Sequence, residues 1–344
     1  MSEFFGLDIG SHTIKAVQID KEDGGLRLIH FAIYDTPPRA FESEAEEDKK
    51  ALSKAIKGTL EDAGIKSRKV VASLPESKLF TRVIELPQMN EKELASSLEY
   101  EAERYIPFPL DSAVFDFEVV SKLKDEEKMR VLLVASPENL TARYLDLLEG
   151  AGLEVVALEP ETVALVRSLV GAGDKAQVPT MVVSIGSSST DLIITEGGKI
   201  RFTRSVGTGG KALGRALARA LGFEEEQAES YKRSYGLEEG QLEGKISDVL
   251  KPVFKVIVEE MRRSLEFYKS RRSGEGVKRV ILSGGTANLP GVLVHLASEF
   301  GIEVQLANPW ERVSYPEEEL DREKMEELGP TLAVAVGLAL REDN

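Results

Sequence analysis

The sequence predicts an α/β protein of two similar lobes, with an α+β module inserted into the first. Short apolar runs rich in β-branched residues alternate with longer amphipathic segments along all 344 residues, which is the α/β pattern. One phrase also occurs twice: FFGLDIGSHTIKAVQI from Phe4, and TMVVSIGSSSTDLIIT from Thr180. Placing Ile185 over Ile9 aligns Ile-Gly-Ser with Ile-Gly-Ser, brings one Gly-Gly turn nearly over the other, and leaves a helix candidate after each unit. A repeat of this kind argues for two lobes of similar fold.

The elements follow in order. FFGLDI, TIKAVQI and LRLIHFAI read as a three-strand meander whose second turn falls at Glu22-Asp23-Gly24-Gly25. A helix from about Glu47 to Ala63 stops at Gly64. From Val70 the text reads strand KVVASL, strand LFTRVIEL, a helix from Asn90 to Tyr105, strands AVFDFEVV and MRVLLVAS, a helix from Pro137 to Ala151, and strand LEVVAL. Pro107 and Pro109 break the chain after the first of these helices. The second lobe continues with a helix near Gly209, an acidic helix over Glu224 to Ser234, a long one from about Ser247 to Arg271, strand KRVILSGG and a helix from Leu289 to Phe300. GPTLAVAVGLAL, Gly329 to Leu340, is rich in small apolar residues and suits a tightly packed helix. The expected boundaries are 1–72 with 160–176 for the first lobe, 73–159 for the insert, 177–328 for the second lobe, and 329–344 for a connecting helix returning to the first lobe.

Composition narrows the chemistry. Lys plus Arg number 44 against 59 Asp plus Glu, a net charge of −15, which argues against nucleic acid or an anionic membrane surface as a direct partner. Without cysteine there is no thiolate nucleophile or thiolate zinc site, as in a reducing compartment. His12, His30 and His295 are scattered and leave little for metal or triad chemistry. The N-terminus lacks a basic region followed by an apolar stretch, and no run approaches the roughly 18 apolar residues of a membrane span. The expectation is a cytoplasmic protein.

The duplicated turns carry the chemistry. In a strand ending at Asp8, the backbone N–H groups of Ser11, His12 and Thr13 face one concavity that suits phosphate oxygens. Gly10 permits close approach, Asp8 is placed to hold Mg²⁺ through water, and Lys15 on the returning strand to neutralise phosphate. A plain hairpin with a solvated acid and base explains this turn equally well. Gly186, Ser187, Ser188, Ser189 and Thr190 repeat the arrangement with hydroxyls, followed by Asp191, and taken in isolation read more readily as a plain serine-rich loop. Face to face, two such turns grip a polyphosphate from both sides. Gly209 and Gly210, between a strand and a helix, join the nucleotide-binding set; the stretch fits a dinucleotide fingerprint only loosely, and Gly244-Lys245 lacks the spacing of a Walker loop. Gly284, Gly285, Thr286 and Asn288 follow a strand where paired glycines admit a flat base, or form a simple β-α turn. Glu229 and Lys232, three apart on one helical face, read as ligands of ribose and adenine or as a solvated pair. Tyr100, Tyr105 and Phe108, beside Pro107 and Pro109, read as a peptide groove or as a helix end in the insert's own core.

These residues resemble the superfamily of actin, heat-shock chaperones and sugar kinases. Asp8, Gly10, Ser11 and Lys15 match its first phosphate motif, Gly186, Thr190 and Asp191 its second, and Gly284 and Gly285 its adenosine motif. Leu158-Glu159-Pro160-Glu161-Thr162 is similar to its first connecting helix and TLAVAVGLAL to the second. Within the superfamily, SLPESKLFTRVIELPQMNEKELASSLEYEAERYIPFPLD, Ser73 to Asp111, is similar to the PilM family of type IV pilus assembly proteins, and AESYKRSYG resembles a ribose and adenine segment shared with the FtsA family. The resemblance implies an actin-like two-lobed ATPase fold with ribonuclease H-like lobes, ATP with Mg²⁺, metal held by Asp8 and Asp191, and an acid at Glu159 that orients water. It also implies a cytoplasmic scaffold at the inner membrane, binding the N-terminal tail of the membrane protein PilN and contacting pilus platform and motor components, with a homo-oligomer allowed. Ser184 stands where many relatives carry an acid, so the expectation is ATP held more than rapidly cleaved. Two rival readings are an FtsA-like filament protein, whose basic amphipathic tail is missing at Leu340-Arg-Glu-Asp-Asn, and a small-molecule kinase, for which the insert shows no evident polar cluster.

Overall fold

The computed structural model describes residues 3–22, 25–40, 43, 45–123, 128–171, 174–271 and 276–342. Strands β1 (Phe4–Ile9), β2 (Thr13–Glu22) and β3 (Gly25–Asp35) form an antiparallel meander. Asp23 and Gly24 of the expected turn, and Asp343 and Asn344 of the last segment, lie outside the described residues. Helix α1 (Glu46–Ala63) ends where Gly64 adopts the left-handed conformation, φ 71°. Strand β4 (Lys69–Leu74) then lies parallel to β1.

The chain leaves this sheet to build a second layer. Strand β5 (Phe80–Pro87), helix α2 (Glu91–Ala102), and strands β6 (Ala113–Leu123) and β7 (Lys128–Pro137) make a three-stranded antiparallel sheet in the order β5-β7-β6. Helix α2 starts on a capping box: the Asn90 side chain accepts from the N–H groups of Lys92 and Glu93, and the Glu93 carboxylate accepts from Asn90 N–H. It packs Leu94 and Leu98 on Ile84, Met129 and Leu133 of the sheet. Helix α3 (Glu138–Gly150) and strand β8 (Glu154–Pro160) come next. They correct the boundary expected at 159: β8 pairs parallel to β4, and Tyr144 and Leu148 of α3 pack with Leu52 and Ile56 of α1, so the insert ends at the close of β7. The apolar run LEVVAL suits either sheet, and only pairing decides between them.

Helices α4 (Glu161–Leu169) and α5 (Asp174–Gln177) lead to the second meander, β9 (Thr180–Ile185), β10 (Thr190–Glu196) and β11 (Lys199–Val206). Helices α6 (Gly210–Leu221), α7 (Glu225–Tyr235) and α8 (Lys245–Ser270) follow, then strand β12 (Arg279–Ser283) parallel to β9, helix α9 (Val292–Phe300) and strand β13 (Glu303–Leu306) parallel to β12. The sheet orders β3-β2-β1-β4-β8 and β11-β10-β9-β12-β13 are the same topology twice; strand β14 (Val313–Ser314) adds itself beside β3.

Helix α10 (Arg322–Ala339) begins seven residues before the expected Gly329, capped by Asp321, whose side chain accepts from Lys324 N–H. Gly329 and Pro330 therefore lie inside it. Its small residues have a steric reason: a Cβ at Gly337 would stand 1.9 Å from the Ala164 carbonyl oxygen of α4. Side chains from both lobes and the insert, including Val71, Leu132, Leu165, Val182, Ile193 and Ala333, share one buried cluster around these two helices. The lobes are thus joined through packed helices, with the cleft on the side where the duplicated turns meet.

Candidate nucleotide site

The two turns have the same construction. Gly10 N–H donates to the Thr13 carbonyl at 3.0 Å, and Gly186 N–H donates to the Ser189 carbonyl at 2.9 Å. They face each other closely enough for the Ser11 and Ser188 hydroxyls to bond at 2.9 Å. Between the lobes lies a cleft of about 2110 Å³. Asp8, Gly10, Ser11, His12, Thr13, Lys15, Gly186, Ser187, Ser188, Ser189, Asp191, Gly210, Glu229, Lys232, Gly284, Gly285 and Thr286 all line it.

The floor is charged. Asp8, 4% exposed, accepts from Lys15 Nζ at 2.8 Å and from the Ser73 hydroxyl at 2.9 Å. The strand registers pair Asp8 with Lys15 in the first lobe and Ser184 with Asp191 in the second. The second lobe therefore carries its acid on the returning strand, where the first lobe has its lysine. Asp191 is buried, its Oδ1 has no hydrogen-bond partner, and burial pushes its carboxyl up to about 6 against the Ser205 hydroxyl. Glu161, in the first turn of α4, also lines the cleft; burial, then the charges of Asp8 and Asp191, raise it well above the usual carboxylate range, opposed by Lys15.

Glu161 lines the cleft and Glu159 does not. Glu159 accepts from Arg167 Nη1 at 2.5 Å and Nη2 at 2.9 Å, and from Arg341 Nη1 at 2.8 Å, while Arg167 Nη1 also donates to the Gly337 carbonyl at 2.7 Å. It is a clamp between the ends of α4 and α10, and its oxygens are used up. Pro160, capping α4, was the available signal: the acid that follows it opens the connecting helix. Sequence reasoning also passed over Glu76, 5% exposed in the link after β4, which accepts from the Thr162 hydroxyl at 2.8 Å. Burial and the Asp191 charge push it up to about 7, opposed by the hydroxyls of Thr162, Thr81 and Thr203.

The far end of the cleft is built on α6, α7 and the loop after β12. Lys232, 4% exposed, donates to Glu229 Oε2 at 2.5 Å and to the Gly210 carbonyl at 3.2 Å, and Arg233 Nε donates to Glu229 Oε1 at 3.0 Å. Burial lowers the Lys232 ammonium against the pull of Glu229. The pair is thus structural as well as cleft-lining, and not a solvated surface pair. Gly284 has φ 83°, and a Cβ there would stand 2.5 Å from the Ile185 carbonyl oxygen. Gly285 is different: a Cβ would meet nothing nearer than Thr331 Oγ1 at 4.0 Å, leaving room beside the backbone for a flat group.

Other predicted residues serve the cleft from outside or not at all. Thr190 donates to the Thr208 carbonyl at 2.8 Å, and Gly209 packs its backbone on the Gly186 turn, where a Cβ would stand 2.6 Å from the carbonyl oxygen. Asn288 points away, donating to the Glu327 carbonyl of α10 at 2.7 Å. Tyr105 and Phe108 pack on the insert's core, whereas Tyr100 is 75% exposed.

The donor set fits a polyphosphate with a divalent cation. An orphaned, buried carboxylate oxygen at Asp191, mutually repelling acids at the floor and turn amides on both sides are each relieved by that ligand pair. Among the described residues no three acids or histidines form a ready cage.

Comparison with known proteins gives the same architecture. The sequence profile of a family described as type IV pilus assembly protein PilM matches residues 6–343. The chain is similar to a solved structure of the PilM-PilN type IV pilus biogenesis complex: 32% identical, covering 98% of each chain, TM-score 0.88. It is also similar to ethanolamine utilization protein EutJ from Carboxydothermus hydrogenoformans, with 19% identity, 98% and 88% of the two chains covered and TM-score 0.58. MreB 5 of Spiroplasma citri bound to AMPPNP matches at 14% identity, 88% and 90% coverage and TM-score 0.50. The last two show the actin-like fold alone. No helix among the described residues is long and apolar enough to cross a membrane.

Proposed function

We propose, for a chain that belongs to the type IV pilus assembly protein PilM family and is an actin-like scaffold of the pilus machinery, that it binds ATP with Mg²⁺ between its lobes. The observation that carries this reading is the face-to-face pair of turns of the same construction, touching through Ser11 and Ser188 in the cleft that holds Asp8 and Asp191. The amides of 11–13 and 187–189 would hold phosphate oxygens, with Lys15 beside them; Asp8 and Asp191 would hold the ion through water. Glu229 and the backbone at Gly285 would receive ribose and base. Bound Mg²⁺ would supply positive charge that offsets the phosphates and the buried acids. Glu161 is the group placed to orient a water in the cleft, and its raised proton affinity, set by burial, falls when the floor is neutralised.

As its partner we assign the N-terminal cytoplasmic peptide of PilN, through which the chain sits at the inner membrane; Tyr100 is an exposed aromatic available to pilus components. Titration calorimetry tests both parts: ATP with Mg²⁺ binds the wild type, binding weakens at least about tenfold in Lys15→Ala, and the PilN peptide binds with a different affinity once ATP is present. Equal peptide affinity in both states would remove the coupling, and absence of ATP binding would remove the nucleotide site. In single-turnover ATP cleavage, Glu161→Gln is slower than wild type and Glu159→Ala, if folded, is not.

A further inference from the structure

Glu76 stands where the three parts of the molecule meet. It begins the short helical turn Glu76–Lys78 that carries the chain from β4 of the first sheet to β5 of the insert. Its carboxylate accepts from the hydroxyl of Thr162, which is fully buried in the first turn of α4 and adjacent in sequence to Glu161 of the cleft. From the other side the insert touches the second lobe along β11: Thr203 Oγ1 donates to the Thr81 carbonyl at 2.9 Å, Arg201 Nη1 donates to Ser121 Oγ at 3.0 Å, and Lys199 pairs with Glu118. The insert is therefore rooted on one lobe and leans on the other.

A buried carboxylate that loses its hydrogen bond is left unsatisfied at substantial cost. The Thr162 bond therefore ties the Glu76 link to the start of α4. The start of α4 also borders the cleft, because Glu161 in its first turn lines it together with Asp8, Lys15 and Asp191. We propose that Glu76 is a positioning residue that transmits a shift in the first turn of α4, set by the contents of the cleft, to the link entering the inserted sheet. The proposal rests on the nucleotide reading above and names the route by which that site reaches the insert. Such coupling requires an element with two arrangements that both sites bias, and the Glu76–Thr162 contact is where one arrangement is held.

Hydrogen exchange of the insert tests it, using full-length wild type, Glu76→Ala, Thr162→Val and Glu76→Gln with and without ATP and Mg²⁺, beside ATP affinity by calorimetry. In the wild type, ATP changes exchange in Phe80–Pro87 by roughly fivefold or more. Glu76→Ala and Thr162→Val reduce that response below about twofold while ATP affinity moves by less than about threefold. Glu76→Gln, whose amide oxygen still accepts from Thr162, keeps the response. A purely structural role would instead raise exchange equally in both states and leave the ratio intact. If Glu76→Ala fails to fold, Thr162→Val decides. Wild type that binds ATP without a response in the insert, or a response that survives in folded Thr162→Val, overturns the Glu76 route alone. Failure of the wild type to bind ATP overturns the nucleotide reading, and this inference with it.

Discussion

Replacing Glu76 by glutamine removes a carboxyl that burial holds protonated up to about pH 7, against an ordinary value of 4.5. Unfolded chains release this proton above 4.5, whereas folded chains retain it to about 7, so the folded state binds more protons between those values. The wild type therefore loses stability as pH rises through that window, and glutamine, which does not titrate, is spared the loss. At about 1.4 kcal/mol per pH unit the full effect is about 3 kcal/mol, reached by pH 8, with less than about 1 kcal/mol present at pH 5. Glutamine keeps an acceptor for Thr162 and nearly the same shape, so packing and hydrogen bonding add an offset common to both pH values. Urea denaturation of the metal-free protein in EDTA at pH 5 and pH 8 checks this. The expected result is a Glu76→Gln advantage larger at pH 8 by about 2 kcal/mol. An equal difference at both pH values, or a wild type that gains on the variant as pH rises, would refute the argument from burial.

Three further outcomes follow from the same geometry. Glu159→Ala leaves the Arg167 and Arg341 guanidiniums facing each other without their acid and costs about 3 kcal/mol in chemical denaturation, while calorimetric ATP affinity changes little; loss of ATP binding in the folded variant would return Glu159 to the cleft. Gly337→Ala drives a methyl group into the Ala164 carbonyl, so the two connecting helices must separate, at a cost of about 2 kcal/mol or more in a thermal melt. Asp191→Asn removes the orphaned carboxylate and its repulsion of Glu161, so ATP affinity measured with Mg²⁺ falls by roughly tenfold while affinity in EDTA holds or rises; an equal loss in both conditions would deny Asp191 a part in holding the ion.

The duplicated turns were legible because a tight turn between strands leaves a local signature of Gly, Ser and flanking β-branched residues, independent of what packs above it. The Asp8 and Lys15 pair was legible for the same reason, since adjacent strands place them in register. Which acid of this stretch faces the cleft was not legible, because Glu159, near the end of β8, and Glu161, opening α4, stand two residues apart, and only the fold brings Arg167 and Arg341 to the first and the cleft to the second. Tyr105 and Phe108 resisted the same way: an aromatic run beside prolines reads alike whether it lines a groove or closes a core. Glu76 gave no signal, since its neighbours Thr162 and Asp191 are 86 and 115 positions away in the chain.

From residue order alone came the α/β class, the repeated meander, the two turns and the family resemblance, because each depends on spacing within a few residues or on the echo of one stretch in another. Tertiary structure decided what depends on residues distant in sequence. Strand pairing assigned β8 to the first sheet and packing brought α3 with it, the crossing of α4 and α10 gave Gly337 its steric reason, and the meeting of lobes brought separate acids to one cleft. The two arginines that close on Glu159 show the difference most directly. A carboxylate's chemistry is set by the charges around it, and those charges are brought by other segments of the chain.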